Sequence, residues 1–239
     1  MTSRSFDVSR HAYAHRGLWS PAGPAENSLP AFIAAGRAGV GVELDVRLTK
    51  DGALAVFHDA TLTRLCSEDV RLDTLTRAEL AERRLPDGSR PPLLAEALAA
   101  LGGEPVLIEL KFDAPGDDLA DAAAALLAGF DGLAAIMCFD VRTVERLRAR
   151  IPDRPVGLLI EPEPYIGQDA VLASVRWARE AGCDYLAPHL TSLATAADAA
   201  GGMPLVSWTV GDPALLDLTR QHAAGPIFER FAPELAKRR

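Results

Sequence analysis

Short apolar runs alternate with longer stretches of helical periodicity from one end of the chain to the other. The apolar runs predict strands at Tyr13–Arg16, Val40–Val46, Val106–Phe112, Leu133–Phe139, Val156–Glu161, Tyr185–Pro188, Leu205–Val210 and Ile227–Phe228. Helix punctuation lies between them. Asn27 or Ser28 caps a helix with Pro30 in its first turn and Gly39 at its end. Asp140 precedes Val141, Val144 and Leu147 at helical spacing, and Ile151-Pro152 stops that helix. Gln168 to Ala181 ends at Gly182, and Asp212-Pro213 opens a further helix. Buried-type strands alternating with helices predict an α/β fold with a parallel sheet. Eight such units in 239 residues favour a closed TIM (β/α)8 barrel over an open doubly wound sheet, as one barrel domain over residues 1–239.

One segment breaks the alternation. Asp51-Gly52 is a hairpin signal, and too few residues follow Val40–Val46 for a parallel crossover. Leu54–Phe57 is therefore expected to return antiparallel, as an extra strand at the barrel mouth. With Asp51 and Gly52 as a two-residue turn, Lys50 faces Ala53 and Asp45 faces His58; a three-residue turn moves that pairing by one. An irregular insertion follows, over about residues 60–92, with one helix at Arg77–Arg83 and a turn at Pro86-Asp87-Gly88.

Composition narrows the function classes. At 49% hydrophobic and 24% charged residues, the chain reads as an ordinary globular protein. Its 25 basic and 33 acidic residues leave a net charge of −8, which argues against nucleic acid or an anionic membrane surface as partner. The three cysteines, Cys66, Cys138 and Cys183, are odd in number, lack CxxC or zinc-ligand spacing and are expected to be free thiols in a reducing compartment. Met1–Arg10 has no apolar core of a signal peptide, and no apolar run is long enough to span a membrane. A cytoplasmic address is expected, without stable membrane insertion.

Chemistry in an α/β barrel sits at the C-terminal ends of the strands. Those ends carry His15-Arg16, then Glu43 and Asp45, then Glu109 and Lys111, with His58 on the returning hairpin. Asp45 follows Glu43 by two, and Lys111 follows Glu109 by two, so each pair shares one face of its strand. Three carboxylates converging on one mouth repel one another unless a cation lies between them. An oxygen-only set without cysteine suits one divalent cation, Mg2+ or Ca2+, better than zinc. His15 and His58 beside it are candidates for an acid–base pair near neutral pH. Arg16 offers a forked donor for phosphate, and Lys111 a second positive charge.

Seven motifs then occur in order. They are Ala14-His15-Arg16-Gly17, Glu26-Asn27-Ser28, Glu43-Leu44-Asp45-Val46, Thr49-Lys50-Asp51-Gly52, His58-Asp59, Glu109-Leu110-Lys111 and Trp208-Thr209-Val210. With them the sequence resembles the glycerophosphodiester phosphodiesterase family from about Tyr13 to Val210. The resemblance implies a barrel, a divalent metal held by Glu43, Asp45 and Glu109, and a catalytic pair of His15 and His58. It also implies phosphate contacts from Arg16 and Lys111, with Trp208 lining the pocket. The implied substrate is a small glycerophosphodiester, cleaved to sn-glycerol 3-phosphate and an alcohol. The chain departs from the family at its last strand, where a Thr-Asp pair is usual. It has Pro226-Ile227-Phe228-Glu229-Arg230 there, with Glu229 as the candidate substitute.

Simpler roles compete with these. Glu43 and Asp45 can pair with Arg47 or Lys50, and Glu109 with Lys111 as a structural ion pair, although burial at a barrel mouth makes bare pairs costly. Glu26 and Asn27 read as loop-ordering and helix-capping residues. Trp208 can be core, and His189 reads as a satisfied or exposed histidine. Two further functions remain: a lysophospholipase D-like activity on lipid substrates, and a barrel that binds phosphorylated ligands without turnover.

Overall fold

The structure is a computed structural model, and it describes residues 6–111 and 118–237. Nine strands form one sheet: β1 (Tyr13–His15), β2 (Gly41–Leu48), β3 (Leu54–Val56), β4 (Val106–Leu110), β5 (Ala134–Cys138), β6 (Val156–Ile160), β7 (Tyr185–Pro188), β8 (Leu205–Val210) and β9 (Ala224–Phe228). Eight of them run parallel. Their order β1-β9-β8-β7-β6-β5-β4-β2 closes because β1 also pairs with β2, so the predicted TIM barrel is present. Phe112, placed at the end of the third predicted strand, lies outside the described residues.

The outer ring follows local sequence signals. Helix α1 (Leu29–Ala38) is capped by Ser28, whose hydroxyl accepts from the Ala31 N–H, and it ends at Gly39 with φ of 64°. Two short helices, α2 (Thr63–Cys66) and α3 (Arg77–Ala81), lie in the insertion, and α4 (Leu94–Ala100) leads back to the barrel. Helix α5 spans Asp118–Ala128; α6 (Val141–Arg150) starts at Asp140, whose carboxylate accepts from the Thr143 N–H at 2.8 Å. After α7 (Glu163–Ile166) and α8 (Gln168–Glu180) come α9 (Leu193–Ala199), α10 (Leu216–Gln221) and α11 (Pro233–Lys237).

Strand alternation divides the apolar side chains into two layers. Ala14, Val42, Leu44, Val46 and Ile108 face outward against the helices. Tyr13, Leu107, Met137, Leu159, Tyr185, Val206 and Ile227 fill the interior. Gly157 makes room for the Tyr185 ring: a Cβ there would lie 2.5 Å from ring carbons. Such overpacking costs about 1–3 kcal/mol. Two residues beyond this layer, the same inward face carries His15, Glu109, Trp208 and Glu229 at the mouth.

Strand β3 pairs antiparallel with β2, as expected, but the register differs from the two-residue turn. Val46 faces Val56 and Leu48 faces Leu54, and the Phe57 N–H donates to the Asp45 carbonyl. Asp45 therefore faces Phe57 rather than His58. Lys50, Asp51 and Gly52 make a three-residue turn, with Gly52 at φ of 75° and the Thr49 N–H donating to Ala53 O. The insertion is better ordered than its sequence suggests. Ala25, Phe57, Leu62, Leu72, Leu80 and Leu85 form its own apolar core against the hairpin. Its one predicted helix is present but ends at Ala81, and a second helix, α2, precedes it where none was expected. All three cysteines are free thiols. Among the described residues, no helix is long and apolar enough to cross a membrane.

Candidate active site

Strand register brings the acidic groups together. His15 is level with Glu43 across β1 and β2, and Asp45 with Glu109 across β2 and β4. One carboxylate oxygen from each of Glu43, Asp45 and Glu109 lies within 4.8 Å of the other two. All three residues are buried, at 2%, 1% and 8% exposure. Oε1 of Glu43 is buried without a hydrogen-bond partner. An oxygen-only cluster with an orphaned carboxylate oxygen fits a hard divalent cation. Burial, followed by the charges of Asp45 and Glu109, pushes the Glu43 carboxyl well above the usual range. Burial likewise pushes Glu109 up to about 7, although Lys111 opposes it. Asp45 goes the other way: burial is outweighed by Lys111 and Arg16, which hold it below the usual range.

Both predicted phosphate cations lie at this cluster. Lys111 Nζ donates to Glu109 Oε1 at 2.6 Å and lies 3.1 Å from Asp45 Oδ1. The chain leaves β1 with Arg16 at φ of 58°, so the Arg16 N–H donates to Glu43 Oε2. Its side chain reaches Glu26 Oε1 at 2.7 Å, and Nε lies 3.4 Å from Asp45 Oδ2. Glu26 and Asn27 do more than order a loop. Ser28 caps α1, which leaves the Asn27 side chain to donate to Asp45 Oδ2 at 2.8 Å.

His15 and His58 each have a carboxylate at Nδ1. His15 Nδ1 lies 2.8 Å from Glu229 Oε2, and His15 Nε2 lies 3.9 Å from Glu43 Oε2. His58 Nδ1 lies 2.7 Å from Asp59 Oδ1. Burial lowers the His58 imidazolium below its usual pKa, against the pull of Asp45. Trp208 is anchored by its Nε1–H to the Ala187 carbonyl at 2.8 Å, with Phe139 and His189 edge-on to its ring. His189 is held by Thr191, as expected for a satisfied histidine. Beside Glu109 and Lys111, a cavity of about 410 Å³ extends past Phe139, Asp140 and Glu161. Arg64 escaped the sequence reading altogether; it binds both Glu26 and Asp59. Its only sequence signal is its position in the first turn after the His58-Asp59 pair.

The family model of the glycerophosphoryl diester phosphodiesterase family matches residues 15–228. The chain belongs to this family. A probable glycerophosphodiester phosphodiesterase 1 of Mycobacterium tuberculosis is 31% identical over 241 residues, covering 87% of this chain and 84% of that one. The glycerophosphodiester phosphodiesterase structure from Thermotoga maritima is 28% identical, with a TM-score of 0.75 and 95% of each chain covered. A phosphodiesterase of Oleispira antarctica, solved with the product sn-glycerol-3-phosphate, shares the fold at a TM-score of 0.77 and 23% identity, with 92% of each chain covered. Membership of the glycerophosphoryl diester phosphodiesterase family makes the protein a phosphoric diester hydrolase. The acidic cluster lies toward the C-terminal ends of β2 and β4, the end of the barrel where such enzymes carry their chemistry.

Proposed function

We propose that the protein is a metal-dependent enzyme that hydrolyses glycerophosphodiesters to sn-glycerol 3-phosphate and an alcohol. One observation carries this reading: two carboxylate-tethered histidines and two cations surround a single buried three-carboxylate cluster. The product held by the Oleispira protein supports the same substrate class. Glu43, Asp45 and Glu109 would hold one divalent cation, Mg2+ or Ca2+. When bound, it would offset their mutual repulsion and supply positive charge for the phosphate oxygens. Arg16 and Lys111 draw the phosphodiester into a protein whose net charge of −8 otherwise repels it. Trp208 forms a wall of the pocket.

His15 and His58 act as the acid–base pair. The free hydroxyl next to the esterified oxygen of glycerol attacks phosphorus and gives its proton to one histidine. The bond from phosphorus to the alcohol oxygen breaks, and the other histidine protonates that oxygen. Water then opens the cyclic glycerol phosphate, with the two histidines in reversed roles. A nucleophile already inside the substrate carries a proximity advantage of several kcal/mol, up to about 11 when it is well oriented. Both histidines are retained, which disfavours a barrel that only binds phosphate ligands. The net acidity and free thiols support a cytoplasmic enzyme with no nucleic acid partner.

Turnover of a panel of glycerophosphodiesters, with divalent metal added and then chelated, tests the reading. Full activity in excess chelator removes the metal site. A substrate lacking the neighbouring hydroxyl tests the route: cleavage at the normal rate replaces internal attack by activated water. A lysophospholipase D-like activity is the second reading. It is favoured by exposed apolar side chains in segments that follow β5, β6 and β8: Val141, Tyr165, Ile166 and Leu215. Preference for lysolipid over its deacylated form would select it.

A further inference from the structure

One guanidinium joins the two halves of the proposed site. Arg64 Nη1 and Nη2 donate to Glu26 Oε2 and Oε1, each at 2.7 Å. Glu26 Oε1 also accepts from Arg16 Nη1 at 2.7 Å. On its other side Arg64 Nε donates to Asp59 Oδ2 at 2.7 Å, and Nη2 reaches Oδ1 at 3.2 Å. Asp59 Oδ1 is the partner of His58 Nδ1. The result is an unbroken chain, Arg16–Glu26–Arg64–Asp59–His58, in which all three nitrogens of Arg64 are engaged.

The chemistry of this link is specific to arginine. A planar fork can hold two carboxylates in fixed directions, whereas a lysine is a single point charge. Glu26 is 6% exposed and so depends on its partners. Burial works against its charge, but hydrogen bonds from Arg64 and the nearby Arg16 keep it below the usual carboxylate range. The Arg64 side chain itself is 46% exposed, and its hydrogen bonds and ion pairs go to Glu26 and Asp59 rather than to the three-carboxylate cluster. It stands at the start of α2, five residues past Asp59, and the nearby Leu62 is buried in the core of the insertion.

We propose that Arg64 is a positioning residue that sets Arg16 and His58 together, so that one side chain of the insertion aligns phosphate binding with proton transfer. This deepens the functional reading above and rests on the roles given there to Arg16 and His58. Through Asp59 it holds the proton on His58 Nδ1 and leaves Nε2 for the substrate. Through Glu26 it keeps the Arg16 guanidinium from swinging out of the mouth. Loss of Arg64 releases both at once.

The test uses the full chain with Mg2+ or Ca2+ and compares Arg64→Ala, Arg64→Lys, Asp59→Asn and Glu26→Gln, each checked for folding by thermal melting. Hydrogen-bonded partners that orient the ligands of a metal are worth about 10- to 100-fold in activity, and the same scale is expected for a partner that orients Arg16 and His58. Arg64→Ala is expected to lose that much in kcat/KM, with kcat lowered and KM raised. Asp59→Asn lowers mainly kcat, and Glu26→Gln raises mainly KM. Arg64→Lys recovers only part of the loss. Ring signals of His58 in 15N-histidine-labelled protein, assigned with His58→Gln, supply a readout independent of turnover. Arg64→Ala shifts them away from the Nδ1–H tautomer. Glu26→Gln perturbs them in the parent but not on the Arg64→Ala background.

A folded Arg64→Ala protein with parental kcat, KM and His58 signals overturns the proposal. If Arg64→Ala does not fold, Arg64→Lys is judged by the same measures, and parental values in it overturn the proposal too. If the parent cleaves no glycerophosphodiester, the functional reading fails, and the His58 signals decide the positioning role alone.

Discussion

Nδ1 of His15 and Oε2 of Glu229 lie 2.8 Å apart across the seam where β9 closes against β1. Glu229 follows β9 on the inward face, and Arg230 holds its other oxygen at 2.8 Å. The hydrogen bond to His15 keeps the Glu229 carboxyl below its usual range. A carboxylate at Nδ1 fixes the neutral tautomer and directs Nε2 into the mouth. Glu229 thus puts a carboxylate where this chain departs from the family's Thr-Asp pair. Glu229→Gln is expected to lower kcat about 10- to 100-fold with a smaller change in KM. Steady-state kinetics check this, and an unchanged kcat removes Glu229 from the site.

Replacing His15 or His58 by alanine is expected to lower kcat by at least about 10²-fold with the fold intact. The double variant should lose much less than the product of the single losses, because in the proposed mechanism the two groups serve one proton-transfer cycle. A near-normal rate in His58→Ala would take it out of the mechanism.

Metal binding is measurable without turnover. Titration calorimetry of the protein with Mg2+ or Ca2+ should show one site. Glu43→Ala and Glu109→Ala each should weaken it by at least about 10-fold, since a lost ligand costs no less than a lost outer-shell partner. Equal binding by the parent and Glu43→Ala would contradict the assignment.

Acid sensitivity follows from Glu26. Its folded carboxyl sits below the usual value of 4.5, so the unfolded chain takes up its proton first as pH falls. The stabilisation is present above 4.5 and is lost as pH falls through the lower folded value. Melting temperatures recorded from pH 6 to pH 3 should fall less steeply for Glu26→Gln than for the parent. Parallel curves would show that Glu26 does not contribute to the acid limb.

Local order was enough for much of the protein. The period of two along a strand places Glu43 with Asp45, and Glu109 with Lys111, on common faces before any fold is known. Ser28, Gly39, Asp140 and Gly182 mark helix ends through interactions within a few residues. The alternation of such units foretells a parallel barrel. The hairpin register lay at the limit of this logic, because a single residue moving from strand to turn shifts every pair. At that turn the Asp51 carboxylate accepts from the Thr49 hydroxyl within the hairpin and also from Arg77, in the distant helix α3.

Beyond that limit only the tertiary structure decides. Arg64 and Glu26 are 38 positions apart, and His15 and Glu229 are 214 apart. No periodicity links residues at such separations. Barrel closure brings the last strand beside the first, and the apolar core of the insertion holds Leu62, and with it Arg64, over the mouth. Sequence alone determined which residues could do the chemistry, since residue type and strand phase are local properties. Their partners were decided by packing, because a hydrogen bond forms between groups that meet in space, wherever they stand along the chain.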